Sequence, residues 1–188
     1  MKLKELADIK SGYPFRYKLQ NDKSGNVNVI QLRNIDAFGK IDYNNIGKIN
    51  FKVTNNKIFL NKGDVLFKAK SNKKTAVYLD QNINNLLATS HFFILTVQNP
   101  IILPEYLTWF LNQKIAQRYF ESCSGGSFIP IVNKSNLEHL KIYIPSKDIQ
   151  QKIINIHNLR LFEKQLIIKI EDKKEKLIEK RLLDLIKK

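Results

Sequence analysis

The feature that most constrains this chain is the long helix that the sequence predicts at its C-terminal end, from about Lys147 to Ile186. Pro145 and Ser146 precede it as a plausible helix start signal. About 40 helical residues at about 1.5 Å each span about 60 Å, which exceeds the width of a domain of this size. We therefore expect this helix to project from the rest of the chain.

One face of the predicted helix is apolar along its whole length. Its apolar residues keep mostly three-and-four spacing, as in helices that pair with another helix. The alternative is a helix that folds back on its own domain, but that domain is too small to cover it. We predict a coiled coil that makes the protein a homodimer, although lysines 173, 174 and 176 weaken the heptad and leave a hairpin or a kink open. The residues assigned to this contact are Ile153, Ile156, Leu159, Phe162, Leu166, Ile170, Leu177 and Leu182.

Residues 1–146 are predicted to form one α/β domain of the α+β type, with a mainly antiparallel sheet and short helices. Apolar residues that alternate with polar ones, bounded by glycine and asparagine turns, indicate the strands. At least one of Trp109 and Phe110 is expected in the core, because their helix has to cover a sheet. Strands are predicted at 27–35, 57–60, 64–70, 75–80, 91–97 and 140–144, and helices at 2–10 and 105–122.

The charge balance favours a polyanionic partner. The chain carries 32 basic and 17 acidic residues, a net charge of +15, and double-stranded DNA is the obvious polyanion. The alternative is that abundant Lys, Asn and Ile only reflect an AT-rich genome. No apolar run reaches the roughly 18 residues of a membrane helix and no signal peptide opens the chain, so we expect a cytoplasmic protein without membrane binding.

The residues that catalysis or metal binding would need are not grouped in this sequence. Cys123 has no second thiol, and His91, His139 and His157 stand far apart, without a metal-ligand spacing. The acidic residues are scattered, and no glycine-rich phosphate loop is present. We predict a protein that is not an enzyme and that holds neither a metal nor a cofactor.

The order of motifs resembles one target-recognition half of the specificity subunit of type I restriction-modification systems. Its most recognisable part is LNKGDVLFKAKSN, in which a Gly-Asp turn leads into a strand and then into a basic, polar exit. The other parts are KLKELADIKSGYPF, VIQLRNI, LPEYLTWFLN, SGGS, the strand that ends at Ile144-Pro145, and QQKIINIHNL. The resemblance covers nearly the whole chain.

The resemblance implies a non-catalytic subunit that reads part of a bipartite DNA site. The usual family member carries two recognition domains and two long helices, which pair antiparallel and dock methyltransferase subunits. This chain has one of each, so we expect half a subunit that dimerises and works with methyltransferase and restriction subunits. A coiled-coil adaptor whose basic domain binds protein or RNA is the alternative function.

Three groups of residues are candidates for DNA contact, each with a structural alternative. Tyr13, Arg16, Tyr17 and Lys18 interleave aromatic rings with cations beside a turn, which suits sugars and phosphates. Arg33 either reads guanine with its fork of donors or pairs with Asp36. The third group is the basic exit, where a solvated loop is the alternative, and it comprises Lys68, Lys70, Ser71, Asn72, Lys73 and Lys74.

Two loops carry the remaining predictions. Ser124 and Ser127 flank two glycines whose backbone amides are suited to approach a phosphate, although the end of a helix explains the glycines equally well. The Lys62-Gly63-Asp64 turn is expected to be structural. There Gly63 supplies a positive φ, and Asp64 bonds back to the turn backbone.

Overall fold

In the computed structural model the described residues are 1–36, 38–52, 59–70, 74–123 and 132–186. Contacts within the chain separate two units, Met1–Gln150 and Gln151–Lys188. The division falls inside the first turns of the long helix. The assignment of residues 1–146 as a DNA-recognition domain stays a prediction.

The larger sheet of the first unit is antiparallel in its described part. Its strand order is β1-β7-β4-β5, with β1 at Ala7–Ser11, β7 at Phe92–Val97, β4 at Val65–Lys68 and β5 at Ala76–Tyr78. Strand β4 is central, and its first three residues are all buried. A strand with apolar residues on both faces is stable only where both faces are covered, so this sheet must lie between two layers.

The smaller sheet has the order β3-β2-β6 among the described residues. Strand β2 at Val27–Ile30 pairs antiparallel with β3 at Gly47–Ile49 and parallel with β6 at Leu86–Ala88. This parallel pair differs from the other strand pairs of the described residues, which are antiparallel. It brings the C-terminal ends of β2 and β6 side by side, which places residues 31–33 next to residues 89–91.

The main core lies between the two sheets. Ile30 and Leu86 from the smaller sheet belong to the same buried cluster as Leu66, Val77 and Phe92 from the larger one. The other face of the larger sheet is covered by helices α1 at Pro104–Leu111 and α2 at Lys114–Cys123. There the Phe67 and Phe120 rings pack with centroids 4.8 Å apart. Phe110 is buried, which confirms that the Trp109-Phe110 pair contributes to the core.

The prediction of a single helix at 105–122 is wrong in one respect, because the structure has two helices that are separated at Asn112. The Asn112 side-chain amide donates to the Ala76 carbonyl and accepts from the Ala76 N–H, at 2.8 and 2.9 Å. The Asn112 side chain therefore makes two hydrogen bonds with the backbone of β5 of the kind that a neighbouring strand would make. Asn112 ends α1, and α2 begins two residues later.

Several other boundaries also differ from the prediction. The helix expected at 2–10 is a 3₁₀ turn at Leu3–Glu5 followed by strand β1, in which Ala7 and Ile9 alternate with exposed residues. The strand at 140–144 reduces to a single bridge between Lys2 and Lys141. Residues 53–58 lie outside the described residues, and Phe59 and Leu60 carry no strand.

The long helix α4 runs without interruption from Lys147 to Ile186. The hairpin or kink left open near residues 173–176 is absent within these bounds. The short helix α3 at Lys134–His139 precedes it. The expected α/β class (α+β) is confirmed, with mainly antiparallel strands, short helices and a long C-terminal helix. Pairing of α4 as a coiled coil stays a prediction.

Candidate nucleic-acid interface

The segment that interleaves aromatic and basic residues begins at a close contact that only glycine permits. A Cβ atom on Gly12 would lie 2.2 Å from the Thr89 carbonyl oxygen. The backbone N–H of Tyr13 donates to the Ala88 carbonyl at 2.7 Å, and that of Ser90 donates to the Tyr13 carbonyl at 2.9 Å. These bonds fix Tyr13 against the end of β6.

Aromatic rings then hold the same segment against the smaller sheet. The Tyr13 ring centroid lies 4.8 Å from that of Phe15 and 5.0 Å from that of Phe51. The Tyr17 ring reaches Phe15 at 6.1 Å but is 57% exposed. Tyr13 is thus half-buried in a cluster of rings, while Arg16, Tyr17 and Lys18 remain at the surface.

Four of the predicted DNA-contact residues line a single open cleft of about 380 Å³. They are Tyr13, Tyr17 and Lys18 from the N-terminal segment and Arg33 from the turn after β2. The parallel β2–β6 pair produces this proximity, because it sets the turn after β2 beside residues 89–91. Seven further residues complete the wall: Phe15, Leu19, Gln31, Leu32, Thr89, Ser90 and His91.

Arg33 occupies a short 3₁₀ turn at Leu32–Asn34, and its side chain is exposed. The Asp36 carboxylate accepts the backbone N–H groups of Phe38 and Lys40, each at 2.8 Å, and within the described part of the chain it forms no ion pair with Arg33. Among the described residues, no carboxylate lies within ion-pair distance of the Arg33 guanidinium. Its fork of five donors is therefore available to a partner.

The Gly-Asp turn is structural, as the sequence indicates. Gly63 has a φ of 101°, and the Asp64 carboxylate accepts the Asn61 N–H at 2.8 Å. Thr96 of β7 donates its hydroxyl to the same buried carboxylate at 2.6 Å. Asp64 thus connects the turn before β4 to the neighbouring strand.

The lysines of the basic exit after β4 differ in how far they are buried. Lys70 is exposed and Lys68 is partly buried. Lys74 is only 6% exposed, and its ammonium donates to the Ala69 carbonyl at 3.2 Å. Burial lowers the pKa of Lys74. The structure therefore places Lys74 in the interior, so the predicted phosphate contact would require this side chain to leave its site.

Some of the predicted contacts lie outside the described residues, namely Ser71, Asn72, Lys73, Ser124 and Ser127. Sequence reasoning considered His91 only as a metal ligand, yet it lines the cleft. It also missed Phe51, which packs on Tyr13. A signal for Phe51 was available, because it lies two positions after Ile49 and continues the apolar alternation of β3 beyond the end of the strand.

In the second unit, α4 exposes the residues that were assigned to a partner helix. Ile156 and Leu159 leave 67% and 68% of their surface in water, and Phe162 leaves 58%. Leu166, Ile170, Leu177 and Leu182 are also exposed, and Ile153 is half-buried. Within the described ranges, no helix is long and apolar enough to cross a membrane.

Comparison with protein families matches residues 1–182 to the type I restriction modification DNA specificity domain. The chain is 27% identical to the HindI specificity subunit of Haemophilus influenzae over 101 residues, which are 52% of this chain. The S subunit of M. genitalium shares the fold over 88% of the chain, with 18% identity and a TM-score of 0.57. The HsdS subunit of Thermoanaerobacter tengcongensis matches 87% of the chain, with 14% identity and a TM-score of 0.55.

These matches span only part of each relative. The aligned region is 22% of the Haemophilus protein, 39% of the M. genitalium chain and 37% of the Thermoanaerobacter chain. The chain therefore corresponds to one portion of proteins that are more than twice as long.

Proposed function

This chain belongs to the family of the type I restriction modification DNA specificity domain, and from that premise we propose that it reads double-stranded DNA sequence-specifically. It acts in the cytoplasm as a non-catalytic specificity component of a restriction-modification complex. One observation carries the proposal: the fold gathers Tyr13, Tyr17, Lys18 and Arg33 in one cleft, and no described residue pairs with Arg33. Cations beside aromatic rings suit phosphates and sugars, and a guanidinium suits base edges.

The DNA face comprises this cleft, the neighbouring exposed Arg16, and the basic exit with Lys68 and Lys70. In this proposal Lys18, Arg16 and Lys70 neutralise phosphates, which supplies affinity but no sequence preference. Ser71, Asn72, Lys73, Ser124 and Ser127 remain proposed contacts from the sequence alone. The Lys74 ammonium is assigned to the fold, because it is buried and bonded to a carbonyl.

The exposed residues of α4 support pairing with a second helix and docking of methyltransferase subunits, with restriction subunits joining the same complex. A homodimer related by a twofold axis reads two identical half-sites, so the target is an inverted repeat. A helix of 40 residues spans about 60 Å, enough to hold two reading surfaces at least one DNA turn apart. The bases between the half-sites are then unspecified.

Purification from the host with identification of bound partners, followed by mapping of methylated sites across the genome, tests the whole proposal. We expect a methyltransferase subunit in the complex and a short, split inverted repeat as its site. An asymmetric site would reject the symmetric dimer but retain DNA reading.

A salt series on duplex DNA tests DNA reading independently of partners. Several phosphate contacts give a steep fall of log affinity with log salt. Binding to a protein or to RNA, with no affinity for duplex DNA at any salt concentration, would instead support an adaptor.

A further inference from the structure

A second, polar cavity of about 520 Å³ shares Arg33 with the aromatic cleft. Amides and one carboxylate line most of it, and Gly47 contributes no side chain. Its wall consists of Asn21, Arg33, Asn34, Asp42, Asn44, Asn45, Ile46 and Gly47. We name it the amide cavity. Apart from Arg33, none of these residues was predicted from the sequence to contact DNA.

The backbone around the amide cavity is fixed by buried or bonded side chains. Asn34 is 1% exposed, accepts the Gln31 N–H at 2.8 Å and donates to the Asn45 carbonyl at 2.7 Å. The Asp42 N–H donates to the Asn34 carbonyl, also at 2.7 Å. The 3₁₀ turn that carries Arg33 is therefore joined to the 3₁₀ turn Tyr43–Asn45 by two hydrogen bonds.

Asp42 holds the second turn in the same way. Its carboxylate accepts the Asn44 N–H at 3.2 Å and the Asn45 side-chain amide at 2.6 Å. These bonds use the Asn44 backbone and the Asn45 side chain but leave the Asn44 side chain uncommitted. Among the described residues, the Arg33 guanidinium and the Asn44 side-chain amide have no hydrogen-bond partner, and both are exposed.

Asn21 adds a third polar group to the wall of the amide cavity. Its side-chain oxygen accepts the Lys48 N–H at 2.9 Å, which orients the amide. A Cβ atom on Gly47 would lie 3.4 Å from that oxygen and 4.0 Å from the Arg33 guanidinium. A methyl group at this position would make ordinary van der Waals contacts with both side chains, and glycine leaves that space unfilled.

We propose that the amide cavity is the site of direct base readout, with Arg33 reading a guanine and Asn44 reading an adenine. A guanidinium fork matches the two acceptors of guanine, and a carboxamide matches the donor and acceptor of adenine. The hydrogen bonds of Asn34 and Asp42 fix the backbone from which both side chains project, so only the side chains themselves have to be ordered on binding. Asn34 and Asp42 are positioning residues. This inference rests on the proposed DNA reading and assigns its specificity to named side chains.

The test selects duplexes from a randomised library with the full chain and its host methyltransferase subunit. The variants are Arg33→Ala, Arg33→Lys and Asn44→Ala, and Arg118→Ala removes an exposed arginine that lines neither cavity as a matched control. Thermal unfolding of each variant checks that the fold is retained. Because Arg33 and Asn44 are exposed, we expect unchanged midpoints.

We expect Arg33→Ala to lower the preference for guanine at one position of each half-site by about tenfold, with the other positions unchanged. Asn44→Ala should lower the preference for adenine at a nearby position of the half-site. Arg33→Lys should not restore the preference for guanine, because an ammonium group lacks the planar fork of donors. Arg118→Ala leaves the selected sequence intact.

A uniform loss of affinity in Arg33→Ala that Arg33→Lys restores would make Arg33 a phosphate contact and overturn the inference. A wild-type site without any G·C pair overturns it as well, while sequence-specific DNA reading stands. A wild-type complex that selects no sequence at all rejects the proposed function itself.

Discussion

The exposed stripe of α4 gives a quantitative prediction about the oligomeric state. The substitutions are Leu159→Gln, Phe162→Ser, Leu166→Gln and Ile170→Ser, which remove four apolar side chains from the middle of the stripe. These side chains leave 68%, 58%, 41% and 51% of their surfaces in water. Pairing with a second helix would therefore bury about half of each.

Burying an entire large apolar side chain stabilises by about 2 kcal/mol, so half of it contributes about 1 kcal/mol. A twofold dimer contains eight of these side chains, and their removal costs about 8 kcal/mol. That loss corresponds to a dissociation constant about six orders of magnitude higher. A dimer with a nanomolar constant would become millimolar, and the variant would be a monomer at any practical concentration.

Sedimentation velocity between about 1 and 100 µM measures this directly. The wild-type protein should sediment with twice the 22.0 kDa mass of the chain, and the variant with the mass of one chain. Circular dichroism should show that strand content is retained, because the first unit has its own core.

A matched control changes four exposed polar residues of the same helix. Asn158→Gln, Lys164→Gln, Glu175→Gln and Glu179→Gln leave the apolar stripe intact and should leave the dimer unchanged. A wild-type protein that stays monomeric across this range, with and without DNA, would refute the reasoning. Equal dissociation of the control would show that charge, not the stripe, determines pairing.

Three further predictions concern the first unit. Lys70→Glu should weaken DNA binding and lower the slope of log affinity against log salt by roughly one, as measured by gel shifts. Lys74→Glu should instead lower the free energy of unfolding by about 3 kcal/mol, because it buries a carboxylate against a carbonyl, and thermal unfolding measures this loss. Gly12→Ala should cost about 2 kcal/mol in chemical denaturation, since its Cβ would lie 2.2 Å from the Thr89 carbonyl oxygen. Thr89→Val should raise the free energy of unfolding by about 1 kcal/mol, because the buried Thr89 hydroxyl has no partner among the described residues; an unchanged or lower value would contradict this.

The fold class and the long helix were predictable because their signals are periodic and local. Three-and-four spacing extends through α4, and a Gly-Asp turn has a fixed geometry at Gly63. The division of the helix at Asn112 was not predictable, because its cause is a bond to Ala76, far away in the sequence. Helical periodicity continues on both sides of Asn112 and gives no sign of it.

The candidate interface was predictable only as separate residues. Sequence chemistry selected Tyr13, Tyr17, Lys18 and Arg33, but their proximity depends on the parallel β2–β6 pair, which no local pattern indicates. Which lysines are buried could not be predicted from the sequence either. Lys70 and Lys74 belong to one basic run, and tertiary packing exposes the first and buries the second.

Three aspartates of the first unit fix turns, whereas Asp8 and Glu138 form ion pairs with Lys10 and Lys134. Asp36, Asp42 and Asp64 accept hydrogen bonds from backbone N–H groups of their own turns. A carboxylate held by backbone donors fixes a turn, and it is no longer the nearest partner for an arginine. Asp36 is an example: two backbone N–H groups donate to one of its oxygens, and among the described residues it forms no ion pair with Arg33, which lies three residues away. An AT-rich genome can account for the number of lysines, but it does not account for aspartates that fix turns next to Arg33 and, in the described ranges, form no ion pair with it.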